Sequence, residues 1–224
     1  MKSKFCVYQA YKEADDMRHI PGQDKGCVVR KDKVIALALC DGAGSVLNAA
    51  VGAQEMALTI ANVLCDNWER YQQVFPDVIR REIYIKIRRK LEALSNQYQC
   101  EKEEFASTII AFATDGKQCI GIHLGDGEIV SNDSDGIYVL SYPVNGVNPD
   151  STYLTTSKCA YKKIRVYRFL RTHTKYMLCT DGVDWRDIDN LGKLFELGNE
   201  TDICNILKHK GIGDDASVIK LEIY

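Results

Sequence analysis

The stretch Lys33-Val34-Ile35-Ala36-Leu37-Ala38-Leu39-Cys40-Asp41-Gly42-Ala43-Gly44-Ser45 decides the fold class. Val34–Cys40 is apolar throughout, where a half-buried strand would alternate. Short length and rich Val, Ile and Leu content point to a strand buried on both faces. The run then stops abruptly at Asp41 and a glycine-rich turn, so the strand end lies at an edge of the core with a carboxylate on it. Just upstream, Cys27–Arg30 reads as the partner of Lys33–Cys40, joined at Lys31-Asp32. Further upstream lie a polar loop, Tyr11 to about Asp24, and a short strand, Phe5–Ala10.

Downstream the period changes. Met56, Ile60, Val63 and Leu64 recur at helical spacing, predicting a helix over Asn48–Tyr71. Pro76 suits the first turn of a second helix, where its missing N–H costs nothing. Ile79, Ile83, Ile87, Leu91 and Leu94 form its apolar stripe, and Arg80, Arg81, Lys86, Arg88, Arg89 and Lys90 read as a solvated face. The pattern is then β from 105 to 181: Phe105–Thr114, Gln118–Leu124, Glu128–Ser131, Ile137–Ser141, Tyr153–Thr156, Ile164–Leu170 and Lys175–Cys179. The dipeptides Asp115-Gly116, Asp126-Gly127 and Asp135-Gly136 supply turns. Short helices are expected near Asp184–Asn190 and Thr201–Lys208, and a last strand over Ala216–Ile223. Helices segregated from runs of antiparallel strands make an α+β layered fold.

Acidic residues recur in one context. Asp24 precedes a strand, Asp41 and Asp181 follow strands, Asp126 sits between Gly125 and Gly127, and Asp214-Asp215 precedes the last strand. Singly, each is ordinary turn chemistry. Together they describe carboxylates gathered at one rim, where mutual repulsion calls for cations. Oxygen ligands without His or Cys neighbours select Mg²⁺ or Mn²⁺ over Zn²⁺. Two such ions roughly 3.5–4 Å apart can share an aspartate and activate a water against a phosphate ester, with no Ser or Cys nucleophile.

The 224 residues suit a single domain over 1–224, and 46% hydrophobic with 27% charged residues is ordinary globular composition. A net charge of −2 argues against a nucleic-acid partner and against a polybasic membrane contact. The nine cysteines are scattered, with no CxxC, which fits reduced thiols filling a core rather than a zinc ribbon. No signal peptide or bilayer-spanning run is evident, so a cytoplasmic protein is expected.

These residues resemble, in order over nearly the whole chain, the protein phosphatase 2C family of metal-dependent serine/threonine phosphatases, in its compact bacterial form. The motif-like elements are Gly22-Gln23-Asp24, Asp41-Gly42-Ala43-Gly44, Phe105-Ala106-Ser107-Thr108, Leu124-Gly125-Asp126-Gly127, Cys179-Thr180-Asp181-Gly182 and Gly213-Asp214-Asp215-Ala216-Ser217. The resemblance implies a four-layer α-β-β-α sandwich of two antiparallel sheets flanked by helix pairs. It implies hydrolysis of phosphoserine and phosphothreonine in a phosphorylated protein, with a cognate Ser/Thr kinase as the natural source of substrate. By the same resemblance Asp41 bridges two Mn²⁺ or Mg²⁺ ions and the Gly42 carbonyl binds one of them. Asp181 and Asp214 hold the other, and Asp126 stands where a third ion is supported. Asp24 organises the water network, and Asp215 supports from behind.

The chain departs from the family pattern at several points. His19 stands where members often carry a phosphate-gripping arginine, with Arg18 adjacent; both are candidates for that contact, and His19 also for proton donation. Gln23 replaces a Glu ligand of some members, and Ala43 replaces a histidine of the animal branch. The stretch from Asp181 to Asp214 is short for a mobile flap. His123, inside an apolar strand, reads as structural. A catalytically silent regulatory module on the same fold is the alternative. A metal-dependent nuclease fits the carboxylates but lacks a basic, aromatic groove.

Overall fold

The computed structural model describes residues 1–10, 22–145, 152–183, 186–197, 205–206 and 215–224. Its strands are β1 Ser3–Ala10, β2 Lys25–Lys31, β3 Val34–Cys40, β4 Ile109–Thr114, β5 Gln118–Leu124, β6 Glu128–Asp133, β7 Gly136–Ser141, β8 Arg165–Leu170, β9 Lys175–Cys179 and β10 Ala216–Ile223. Its helices are α1 Ala49–Asp66, α2 Trp68–Tyr71, α3 Pro76–Tyr98, α4 Ala160–Lys163 and α5 Ile188–Glu196, with a 3-10 turn at Lys102–Phe105. The strands form two five-stranded sheets, ordered β1-β10-β9-β6-β7 and β2-β3-β4-β5-β8. Every pairing is antiparallel.

β3 shows how the sequence builds the layers. All seven of its residues are buried, and they serve two interfaces in turn. Ile35, Leu37 and Leu39 point between the sheets, meeting Ile110, Phe112, Tyr176, Leu178 and Ile219. Phe112 and Tyr176 stack there with ring centroids 4.4 Å apart. Ala36, Ala38 and Cys40 point the other way, joined by Ala111 and Ala113 of β4, under Met56, Ile60 and Leu64 of α1 and the Ile79, Ile83, Ile87 and Leu91 stripe of α3. Small side chains on this face let the helices lie close to the strands. On the far sheet, Leu191, Leu194 and Phe195 of α5 cover Val130, Met177 and Val218. The layers are therefore helix, sheet, sheet, helix, as the family resemblance implied.

α1 lies close against the Phe105 backbone at Gly52. A Cβ there would lie 2.2 Å from the Phe105 carbonyl oxygen, so only glycine allows this approach.

Several boundaries differ from the sequence-based expectations. The hairpin turn is Asp32-Lys33, since Lys31 pairs with Val34; Asp32 takes a φ of 51°, which Asp tolerates better than most residues. The helix expected over Asn48–Tyr71 breaks at Asn67, whose side chain and N–H both donate to the Val63 carbonyl, and α2 follows. The strand expected from Phe105 begins at Ile109, because Lys102–Phe105 is a 3-10 turn. Tyr153–Thr156 is not a strand. The Leu154 N–H is taken by Ser157 Oγ and the Thr155 N–H by the Ser107 carbonyl, which leaves a turn leading into α4. The helix expected over Asp184–Asn190 runs over Ile188–Glu196, capped by Asp187 accepting from the Asn190 N–H. The helix expected over Thr201–Lys208 lies outside the described residues, apart from Asn205 and Ile206.

Candidate metal centre

Three strand ends meet at one rim of the sandwich. Asp41 follows β3, Asp126 lies in the turn from β5 to β6, and Asp181 follows β9. Each offers a carboxylate oxygen, and these atoms lie within 4.8 Å of one another. Asp41 and Asp126 are half-buried and Asp181 is exposed, so the cluster opens to solvent. Such carboxylates repel one another unless a cation lies among them. The donor set is oxygen alone, which suits Mg²⁺ or Mn²⁺. The residues present therefore fit the ions that the sequence called for.

The backbone around Asp41 is fixed on both sides. Its N–H donates to Thr108 Oγ1 at 2.9 Å, and its carbonyl accepts from the Thr108 N–H at 2.8 Å. Gly42 is bridged to Ser107, and the Ala43 N–H donates to the Ala106 carbonyl. Asp181 is fixed in a comparable way. The Thr180 N–H donates to the Ser217 carbonyl. A Cβ on Gly182 would lie 2.2 Å from the Asp215 carbonyl oxygen, so the turn after β9 rests directly on the start of β10.

Asp24 lies behind the cluster, fully buried. Its Oδ2 accepts from the Thr180 hydroxyl at 2.8 Å, and its carbonyl accepts from Gln9 Nε2 at 2.8 Å. Its Oδ1 is buried without a hydrogen-bond partner among the described residues. Burial pushes the carboxyl up to about 6; the nearby Ser217, Thr180 and Asp41 side chains pull the other way, and the Asp215 charge adds to the rise. The Asp215 carboxylate accepts from the Gln23 N–H at 2.6 Å, which ties the start of β10 to the residue before Asp24.

The structure thus brings together Asp41, Asp126 and Asp181, with Gly42 beside them and Asp24 and Asp215 behind. Arg18, His19 and Asp214 lie outside the described residues. Thr108, Thr180 and Ser217 stood in the quoted motifs without a role, and Gln9 went unnoticed. Thr180 and Ser217 lie beside or near acidic residues in sequence; Thr108 and Gln9 carry no comparable signal, because their contacts with Asp41 and Asp24 join segments distant in the chain.

His123 sits in β5, three residues from Asp126, and is fully buried. Arg165 Nη2 lies 2.8 Å from its Nδ1. A guanidinium only donates, so Nδ1 accepts and the ring is neutral with its proton on Nε2. Burial, and then the Arg165 charge, lower its pKa to about 3.

A family model described as protein phosphatase 2C matches residues 16–213. Among solved structures, the chain is similar to the S. agalactiae serine/threonine phosphatase at 13% identity, with a TM-score of 0.74 and all of both chains covered. It is also similar to the serine/threonine phosphatase Stp1 of Staphylococcus aureus at 14% identity, with a TM-score of 0.71, covering 100% of this chain and 96% of that one. The catalytic domain of the serine threonine protein phosphatase PstP, solved in complex with two manganese ions, matches at 14% identity and a TM-score of 0.68, covering 98% and 97%. No curated protein matched the chain.

Proposed function

Because the chain belongs to the protein phosphatase 2C family, we propose that it hydrolyses phosphoserine and phosphothreonine esters of proteins with the help of Mn²⁺ or Mg²⁺. The observation that carries this reading is the convergence of Asp41, Asp126 and Asp181 from three separate strand ends, with oxygens within 4.8 Å. The solved manganese complex of PstP supports the choice of ion.

In this reading Asp41 would be a ligand common to two ions, with the Gly42 carbonyl a further ligand to one of them; Asp181 and Asp214 would hold the other, and Asp126 would serve a third. Bound there, the ions supply a water of lowered pKa and screen the charge of the phosphate ester. The chain's own residues do the rest. Thr108 holds the Asp41 backbone in place from both sides. Asp24, buried and half-satisfied, orients water at the back of the cluster. Arg18 and His19 grip the substrate phosphate, and His19 gives a proton to the leaving group. The whole chain acts as one catalytic domain on a phosphorylated protein, with a cognate kinase as the source of that substrate. No helix among the described residues is long and apolar enough to cross a membrane.

The test is hydrolysis of p-nitrophenyl phosphate and of a phosphothreonine peptide with Mn²⁺, in wild type and in Asp41→Asn and Asp181→Asn. Wild type should turn over both substrates only with metal, and both variants should be inactive. Turnover in EDTA-treated wild type, or undiminished turnover in the variants, would rule the reading out. Mn²⁺ binding without any turnover would favour a silent module on the same fold.

A further inference from the structure

One residue links the segment that carries Asp181 to those that carry Asp24 and Asp215. Thr180 precedes Asp181. Its Oγ1 accepts from the Ser217 N–H at 2.9 Å, two residues beyond Asp215. The same Oγ1 lies 2.8 Å from Asp24 Oδ2, with a carboxylate that can only accept. The Ser217 N–H occupies a lone pair of the hydroxyl; of the two acceptors in reach of its proton, Asp24 Oδ2 at 2.8 Å is much nearer than the Ser217 carbonyl at 3.5 Å, so the proton goes to Asp24. Thr180 is itself only 2% exposed, so water does not compete for this bond. The Thr180 N–H and the Ser217 carbonyl close the same contact from the other side at 3.0 Å.

Asp24 has other neighbours as well. Its backbone carbonyl is held by Gln9, the Ser217 and Asp41 side chains lie near its carboxylate, and Oδ1 has no hydrogen-bond partner among the described residues. The Thr180 hydroxyl holds the other oxygen, Oδ2, at 2.8 Å.

We propose that Thr180 is a positioning residue: its hydroxyl, aimed by the Ser217 N–H, fixes the Asp24 carboxylate in the orientation in which Oδ1 serves the metal cluster beside Asp41. The γ-methyl of Thr180 is incidental, and the hydroxyl is what matters. Residues that orient a metal site's ligands from behind typically change metal affinity by about 10–100-fold when replaced. This inference rests on the metal-dependent reading above.

The experiment measures Mn²⁺ affinity by calorimetry for wild type, Thr180→Val, Thr180→Ser and Asp24→Asn, and for Thr180→Val combined with Asp24→Asn. Thermal melting of the metal-free proteins runs in parallel. Valine keeps the shape of threonine and removes the hydroxyl; serine keeps the hydroxyl. Thr180→Val should weaken Mn²⁺ binding about tenfold, Thr180→Ser should stay within about twofold of wild type, and Thr180→Val should have no further effect once Asp24 is Asn. If Thr180→Ser is as weak as Thr180→Val, or if Thr180→Val costs the same factor in the Asp24→Asn background, Thr180 does not act through Asp24 and the proposal fails. Unchanged affinity in Thr180→Val overturns it as well. Should Thr180→Val not fold, Thr180→Ala makes the same comparison against Thr180→Ser. Wild type that binds no Mn²⁺ defeats the metal-dependent reading itself, a different outcome from wild type that binds and a Thr180→Val that binds equally well.

Discussion

Asp126 differs from its two partners in where it sits, at the turn that carries the chain from one sheet to the other, between Gly125 and Gly127. In the proposed roles it serves the third ion, while Asp41 is shared by the first two. The two substitutions should therefore differ in kind. Asp41→Asn is expected to lower kcat/KM for p-nitrophenyl phosphate roughly 100-fold or more, beyond the effect of residues that only support ligands. Asp126→Asn should mainly raise the Mn²⁺ concentration needed for half-maximal rate, which a metal titration of initial rates separates. His123 makes a prediction of another sort. In the unfolded chain it takes up a proton near 6.5, while in the folded protein burial and Arg165 delay this to about 3. The unfolded state therefore binds more protons between these values, and stability falls as pH drops through that window while being fully retained above it. Between pH 6.5 and 5 the loss from this residue amounts to at most about 2 kcal/mol. Urea midpoints at pH 7 and pH 5 should show it, and His123→Gln should flatten the difference. Reading His123 as structural was possible from the apolar strand around it; its Arg165 neighbour was not, because they meet across β5 and β8.

At the scale of the element, helix α1 tests which of two opposing effects wins. Alanine is favoured over glycine inside a helix by about 0.8–1 kcal/mol. At position 52, however, the new methyl would meet the Phe105 carbonyl at 2.2 Å, and relieving such overpacking costs typically 1–3 kcal/mol. Gly52→Ala should thus lower the melting temperature despite its better propensity. A melt read by circular dichroism decides the sign, and a rise would show that α1 moves aside freely. The elements themselves were largely legible. The stripe from Ile79 to Leu94 named the buried face of α3 residue for residue, and the unbroken run Val34–Cys40 named β3. Where reading failed, local backbone angles and hydrogen bonds had overridden the pattern. At Asn67 the backbone leaves helical angles, with φ −110° and ψ 13°, and Ser157 and Ser107 took the backbone groups that a strand at Tyr153–Thr156 would have used. Hydrophobic periodicity carries no trace of either.

For the molecule as a whole, the proposed metal-dependent reading makes metal a stabiliser. Free Mn²⁺ at about 100 times its Kd adds roughly 2.7 kcal/mol to the native state. For a chain of this size that corresponds to a rise in melting temperature of about 5–10 °C. EDTA should reverse the rise, and Asp181→Asn should abolish it, both readable by differential scanning fluorimetry. The gathering of aspartates at one rim was legible as soon as each was seen to end a strand. The strand order was not: β1 lies against β10 and β6 against β9, pairings between distant segments that no local signal encodes.

The inter-sheet layer has a consequence for the rim. Asp41 hangs from one sheet, Asp181 from the other, and Asp126 from the turn that passes between them. Their oxygens meet only while the two sheets keep one alignment, much as the marks of a vernier coincide at one setting. Phe112 and Tyr176, stacked between the sheets, help to hold that setting from within. A slip of an ångström in the core would be displayed at the rim as a lost coincidence of charges, so the affinity of this protein for a cation doubles as a gauge of how its halves are seated.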